Sequence, residues 1–136
     1  MAVYEFLIFN RRGDCLLHED YTNTQPMHDK RVMKERQKLV FGLLWSLREF
    51  SKMISPGPLV TFNNYATHSY RLHVYELMTG IKFVAITSLE LSEDLKNTLK
   101  QVHMLYVTYL AKNVGYELGT EIRSPIFKRL VRETFS

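Results

Sequence analysis

Five histidines (His18, His28, His68, His73 and His103) and one cysteine (Cys15) are the side chains here that could ligate a metal or attack an electrophile. No two histidines lie four apart on a helical segment, the spacing that brings two imidazoles to one helix face. His68 and His73 are five apart, so on one continuous strand they point to opposite faces. Cys15 precedes His18 by three residues, and on an unbroken strand that odd offset also separates the two side chains. The spacing therefore predicts an inert structural thiol rather than an activated nucleophile. The adjacent carboxylates Glu19-Asp20 and Glu93-Asp94 do not converge on one substrate atom. The second pair is explained by the positive end of a helix dipole and the first by a solvated loop. There is no Gly-x-Ser-x-Gly elbow, no Gly-rich phosphate cradle and no dinucleotide fingerprint. The expectation is a protein without catalytic, cofactor-binding or metal-ligating residues, and not an enzyme.

Charge is the next possible recognition device. Lys30, Arg31, Lys34, Arg36 and Lys38 cluster at the start of a helical segment and could attract phosphate or anionic lipid. With Glu35 interleaved, a solvated helical face is the simpler reading. The aromatics Phe62, Tyr65, Tyr70 and Tyr75 could stack bases, but the element order is not that of an RNA-recognition motif, and no nucleic-acid partner is expected.

The elements that must position these residues follow from periodicity. Residues 3–9 (VYEFLIF) are apolar at nearly every position, as in a strand covered on both faces. Turn chemistry at 10–14 and a short second strand at 15–18 complete a hairpin. Residues 19–29 read as a polar loop. Residues 30–54 switch to helical spacing, with Met33, Val40, Leu43, Leu44, Leu47, Phe50 and Ile54 on one stripe, Asp29 as N-cap and Ser55-Pro56-Gly57-Pro58 as the stop. Strands are predicted at 59–64, 70–76 and 81–88, the last apolar on both faces and so central. A second helix opens at Ser92-Glu93-Asp94 and carries Leu95, Leu99, Val102, Tyr106 and Tyr109 on its stripe. After a loop at 116–123, Ser124-Pro125 starts a third helix docked by Phe127, Leu130, Val131 and Phe135. The order ββ-α-βββ-αα implies an α+β domain, a five-stranded mainly antiparallel sheet with helices on both faces.

The 136 residues suit one domain, 1–136, and their 46% hydrophobic and 24% charged content excludes a disordered or collagen-like chain. A formal charge of +4 and pI near 9.2 are mildly basic and demand no particular partner. The lone cysteine excludes an internal disulfide and favours a reducing compartment. Glu5 interrupts the apolar start, which reads as a strand rather than a signal peptide, and no apolar run approaches the roughly 20 residues of a membrane helix.

One positive signal stands out. Phe41 and Trp45, four apart, form a second apolar patch away from the main helical stripe, and the edge segment 59–64 (LVTFNN) lacks the Lys or internal Pro that discourages pairing. Two readings fit that surplus: the third helix or a loop covers it within the chain, or it is a protein–protein interface with Trp45 as a candidate anchor.

The segments YEFLIFNRRGDCL, KLVFGLLWSLREFSKMISP, YRLHVYELMTGIKFVAITS and YVTYLAKNVGYELGTEIRSPIF resemble the small longin-type (sedlin-like) core subunits of the transport protein particle, TRAPP. Leu77-Met78 stand where that family's pattern implies smaller, more polar residues. The resemblance implies a longin (SNARE-like) fold and a non-catalytic role in assembling a Rab guanine-nucleotide exchange factor and in vesicle tethering between ER and Golgi. The implied partners are a second longin-type subunit, an acylated-family subunit and, through the whole complex, the Rab GTPase. The implied location is cytoplasmic, peripheral at ER and Golgi membranes. Carried onto this sequence, side-by-side longin pairing points to Phe41, Trp45 and Arg48 on the first helix and Val60 and Phe62 on the third strand as interface residues. A longin-fold adaptor small chain or a SNARE-regulating longin protein is the alternative on fold alone.

Overall fold

The computed structural model describes residues 3–21, 30–54, 64–66, 68–89, 95–117 and 119–135. Asp29, Ser55-Pro56-Gly57-Pro58, Val60, Phe62 and Ser92-Glu93-Asp94 lie outside the described residues. The chain order is β1 (Val3–Phe9), β2 (Cys15–Asp20), α1 (Lys30–Ile54), β3 (Asn64–Ala66), β4 (Arg71–Glu76), β5 (Lys82–Thr87), α2 (Lys96–Tyr106) and α3 (Pro125–Phe135). All strand pairs are antiparallel, in the order β2-β1-β5-β4-β3. The two strands with near-continuous apolar sequence, β1 and β5, are the ones flanked on both sides. Ladders on both sides pair their backbones while most of their side chains are buried on both faces.

Each face of the sheet has its own core. On one, Phe6, Ile8, Phe83 and Ala85 meet Leu99, Val102, Tyr106 and Leu110 from the α2 side and Phe127, Val131 and Phe135 from α3. Phe6, Phe83 and Phe127 are fully buried, each contributing about 1.5–3 kcal/mol from burial alone. On the other, Leu7, Phe9, Leu72, Val74, Val84 and Ile86 lie under α1, which lowers Leu44 into them and packs Val40, Phe41, Leu43 and Leu47 beside it. The first helix has the expected limits, and the third starts at Pro125 as expected, with Ser124 Oγ accepting from Phe127 N at 3.3 Å as its cap.

Several expectations are corrected. β2 continues to Asp20, so Glu19 and Asp20 sit in the ladder opposite Phe6 and Glu5 rather than in a loop. The third strand, in its described part, is Asn64–Ala66, at the end of and beyond the expected 59–64. Beyond Tyr106 the helix widens into one π-helical turn, Val107–Ala111, with Lys112 N bonding Val107 O at 3.2 Å. It brings Leu110 into the core and leaves Tyr109 substantially exposed. Phe50, assigned to the core stripe of α1, is 58% exposed. With 25 residues α1 is about 37 Å long. Among its polar contacts to the sheet are those of Arg36 and Gln37 near one end and of Arg48 near the other.

A bulge in the β1–β2 ladder overturns the reasoning about Cys15. The register shifts between Ile8 and Phe9, so Cys15 faces Phe9 and His18 faces Leu7, both on the α1 side. Leu16 and Leu17 consecutively join the opposite core. The inert thiol survives for a different reason: burial pushes Cys15 up to about 12, and its Sγ donates to Leu17 O at 3.2 Å.

Candidate interaction surface

The histidines scatter. His73 is buried in β4 with Nε2 3.0 Å from Thr87 Oγ1, His103 rests against Tyr75 and Phe83, and His68 is exposed. Among the described residues no group of three or more His, Cys, Asp or Glu is placed to hold a metal ion. No described helix is long and apolar enough to cross a membrane.

The polar cluster that does form is one the sequence reading missed. Glu5, the interruption in β1, is buried beneath α1. Arg36 Nε donates to Glu5 Oε1 at 2.7 Å and its Nη2 engages Oε2, a two-point pairing. His18 Nε2 donates to Oε1 at 2.9 Å, while Gln37 Nε2 lies 3.2 Å from His18 Nδ1. This pair of bonds fits the tautomer with its proton on Nε2. Burial pushes the Glu5 carboxyl up, but the bonds from His18 and Arg36 outweigh it and hold the group below the ordinary carboxylate range. Arg36, expected on a solvated face, is thereby the pin that fixes the N-terminal half of α1 to the sheet. The visible signal was a lone Glu inside an apolar strand. Its partners are 13 and 31 residues away, and no local pattern joins them.

The other end of the sheet holds three of the five expected interface residues, Phe41, Trp45 and Arg48; Val60 and Phe62 are outside the described residues. The turn 10–14 is fixed by Asn10, whose Oδ1 accepts from Arg12 N and Asp14 N at 3.0 and 2.9 Å. The turn 77–81 is closed by Gly80 N to Leu77 O at 2.9 Å. Between these turns and α1 lies an open hollow of about 410 Å³, with Phe41, Trp45 and Arg48 on its helix side. Phe41 is half-buried and tilted against Phe9, ring centroids 5.6 Å apart, so it is partly claimed by its own core. Trp45 is 58% exposed. Arg48 Nη1 reaches Glu76 Oε1 at 3.5 Å, and Lys82 Nζ approaches the same oxygen at 3.7 Å. The structure thus brings Phe41, Trp45 and Arg48 together. It also places Met78 and Arg11, neither of them among the expected residues, around the same hollow. Away from the hollow α1 also exposes Val32, Leu39, Phe50 and Met53. Four exposed apolar side chains besides Trp45 on one helix are more than scattered surface residues require.

Comparison with known proteins gives this geometry its context. Residues 3–136 match the model of the Sybindin-like family, and the chain belongs to that family. Its α+β architecture is the longin-like one. The chain is similar to the Trafficking protein particle complex subunit 1 of Dictyostelium discoideum, 33% identical over 129 residues, covering 92% of this chain and 88% of the relative. It is equally similar to the subunit 1 of Homo sapiens, 33% over 134 residues, covering 94% and 88%. A more distant likeness, 26% over 129 residues and 93% and 91% of the two chains, is to Trafficking protein particle complex subunit 4 of Dictyostelium discoideum.

Proposed function

We propose that this chain is a non-catalytic core subunit of the transport protein particle, where it helps assemble the exchange factor for the Rab GTPase of ER-to-Golgi transport and takes part in vesicle tethering. The observation that carries this reading is the match to relatives named as subunit 1 of that complex, at 33% identity across 88% of their length. The apolar outer surface of α1 supports it, because a side chain as large as Trp45 left in water is characteristic of a surface made for a neighbour. On this reading Phe41, Trp45 and Arg48, with Val60 and Phe62 on the segment after α1, meet a second longin-type subunit, and an acylated-family subunit docks elsewhere. The weaker likeness to a subunit 4 polypeptide is in keeping with pairing between related folds.

Nucleotide exchange makes and breaks no covalent bond. The assembled complex binds the nucleotide-free GTPase better than the loaded one, and by reciprocity nucleotide affinity falls by the same factor. The chain acts in the cytoplasm, peripheral at ER and Golgi membranes. Purification of the tagged chain from its own cells tests this. Recovery of the other particle subunits supports the reading, and recovery of clathrin-type adaptor large chains overturns it. Within the recovered complex, Trp45→Ala should weaken association with the second longin-type subunit by about 2 kcal/mol or more.

A further inference from the structure

The hollow beside Trp45 is built rather than incidental. Two turns at the same end of the sheet each hold a glycine at positive φ, and each glycine makes room for one wall. A Cβ on Gly13 (φ 95°) would sit 2.8 Å from ring carbons of Phe41. A Cβ on Gly80 (φ 92°) would sit 2.9 Å from Cβ and Cγ of Arg11. Phe41 is thus seated beneath the first turn, and the stem of Arg11 is laid across the second. Lys82 Nζ lies 5.7 Å from the centroid of the Phe41 ring and bonds Gly80 O at 3.3 Å.

The charge in this hollow does not balance. Arg11, Arg48 and Lys82 line it against a single carboxylate, Glu76, whose Oε1 is shared at long range by Arg48 and Lys82. Arg11 has no acidic partner among the described residues. Beside the surplus cation stand two exposed apolar side chains, Trp45 and the wholly exposed Met78. We infer that the hollow receives a segment of a partner subunit that presents an Asp or Glu to the Arg11 guanidinium and an adjacent apolar side chain to Trp45 and Met78. Arg11 is then the specificity-determining residue. Its planar fork donates to a carboxylate at two points, and docking would remove the pair from water. The inference rests on the reading of this flank as a subunit interface and adds the chemistry of what docks there.

The test uses the particle purified from its own cells through the tagged full-length chain, washed from about 0.1 to about 0.5 M salt. Five forms are compared: wild type, Arg11→Gln, Arg11→Lys, Trp45→Ala, and Arg12→Gln as a control on the same turn outside the hollow. The expected result is about tenfold weaker retention of one partner subunit for Arg11→Gln, partial retention for Arg11→Lys, and no more than about twofold change for Arg12→Gln. Equal effects of Arg11→Gln and Arg12→Gln would mean diffuse charge and overturn the inference. An unaffected Arg11→Gln alongside a strong Trp45→Ala effect overturns the acidic occupant and leaves the interface reading intact. Indifference to both removes the interface as well. A photocrosslinker at position 78 gives an independent readout that leaves Arg11 in place. A cross-linked partner peptide carrying Asp or Glu beside an apolar residue supports the inference, and one without a carboxylate, or a lipid adduct, overturns it.

Discussion

The two faces of the sheet are finished differently. Under α2 and α3, four phenylalanines share one core: Phe6 is stacked on Phe83 at 6.2 Å and tilted against Phe135 at 5.1 Å, and Phe127 is buried in the same cluster. Two helices cover that face, and its core closes within the chain. Under α1 the apolar cluster is smaller, a buried carboxylate pinned by Arg36 and His18 sets one end, and the outer side of the helix leaves Val32, Leu39, Trp45, Phe50 and Met53 exposed among charged residues. The first face maximises apolar burial and carries stability. The second fixes a helix in place by directional bonds, which hold its outer side chains in register for a neighbour.

The largest test of this contrast is Phe83→Ala, which removes a ring at the centre of the closed face. It should cost about 3–5 kcal/mol in denaturant unfolding and leave little folded protein. A cost below that of Leu44→Ala, the most buried apolar residue of α1 among those described, would reverse the assignment of the two faces.

The carboxylates on neighbouring strands come next. Glu5, on the α1 face, is held below its ordinary pKa, so the stability it contributes is present above about pH 4.5 and lost as pH falls through its folded value. Glu19, facing Lys128 on the other side, is pushed up by burial beyond what Lys128, His18 and Arg132 offset. Its ionisation opposes folding, and that penalty is relieved as pH falls. Glu5→Gln should therefore cost about 1–3 kcal/mol at pH 7 and flatten the acid limb of a stability–pH curve. Glu19→Gln should be neutral or stabilising at pH 7. Identical responses of the two variants would remove the contrast.

Smaller still, Trp45→Ala in the isolated chain should shift unfolding by no more than about 0.5 kcal/mol, since the ring contributes little to its own fold. The mildest effect belongs to Cys15. With the thiol at about 12, a thiol reagent at pH 8 should react with it far more slowly in the native chain than after denaturation.

The sequence discloses whatever depends on neighbours along the chain. The limits of α1, the burial of β1 and β5 and the start of α3 at Pro125 follow from periodicity, continuous apolar character and proline's fit to a first helical position. The candidate surface was half legible, because Phe41 and Trp45 announce themselves by i,i+4 spacing. Arg11 could not, because it reaches the hollow only when Gly80 takes positive φ beside it. The Glu5–Arg36 pair needs the helix already laid on the sheet. The errors at Cys15 and Tyr109 share one cause: a bulge and a π turn each break the regular count of residues, and periodicity assumes that count.

The pairing of β1 with β5 joins Val3 to Thr87 and Phe9 to Lys82. During synthesis β1 can therefore complete its pairing only after β5 has emerged, well after β2. Until then the hairpin carries unshielded greasy surface, the kind of transient exposure that makes nascent chains prone to sticking together.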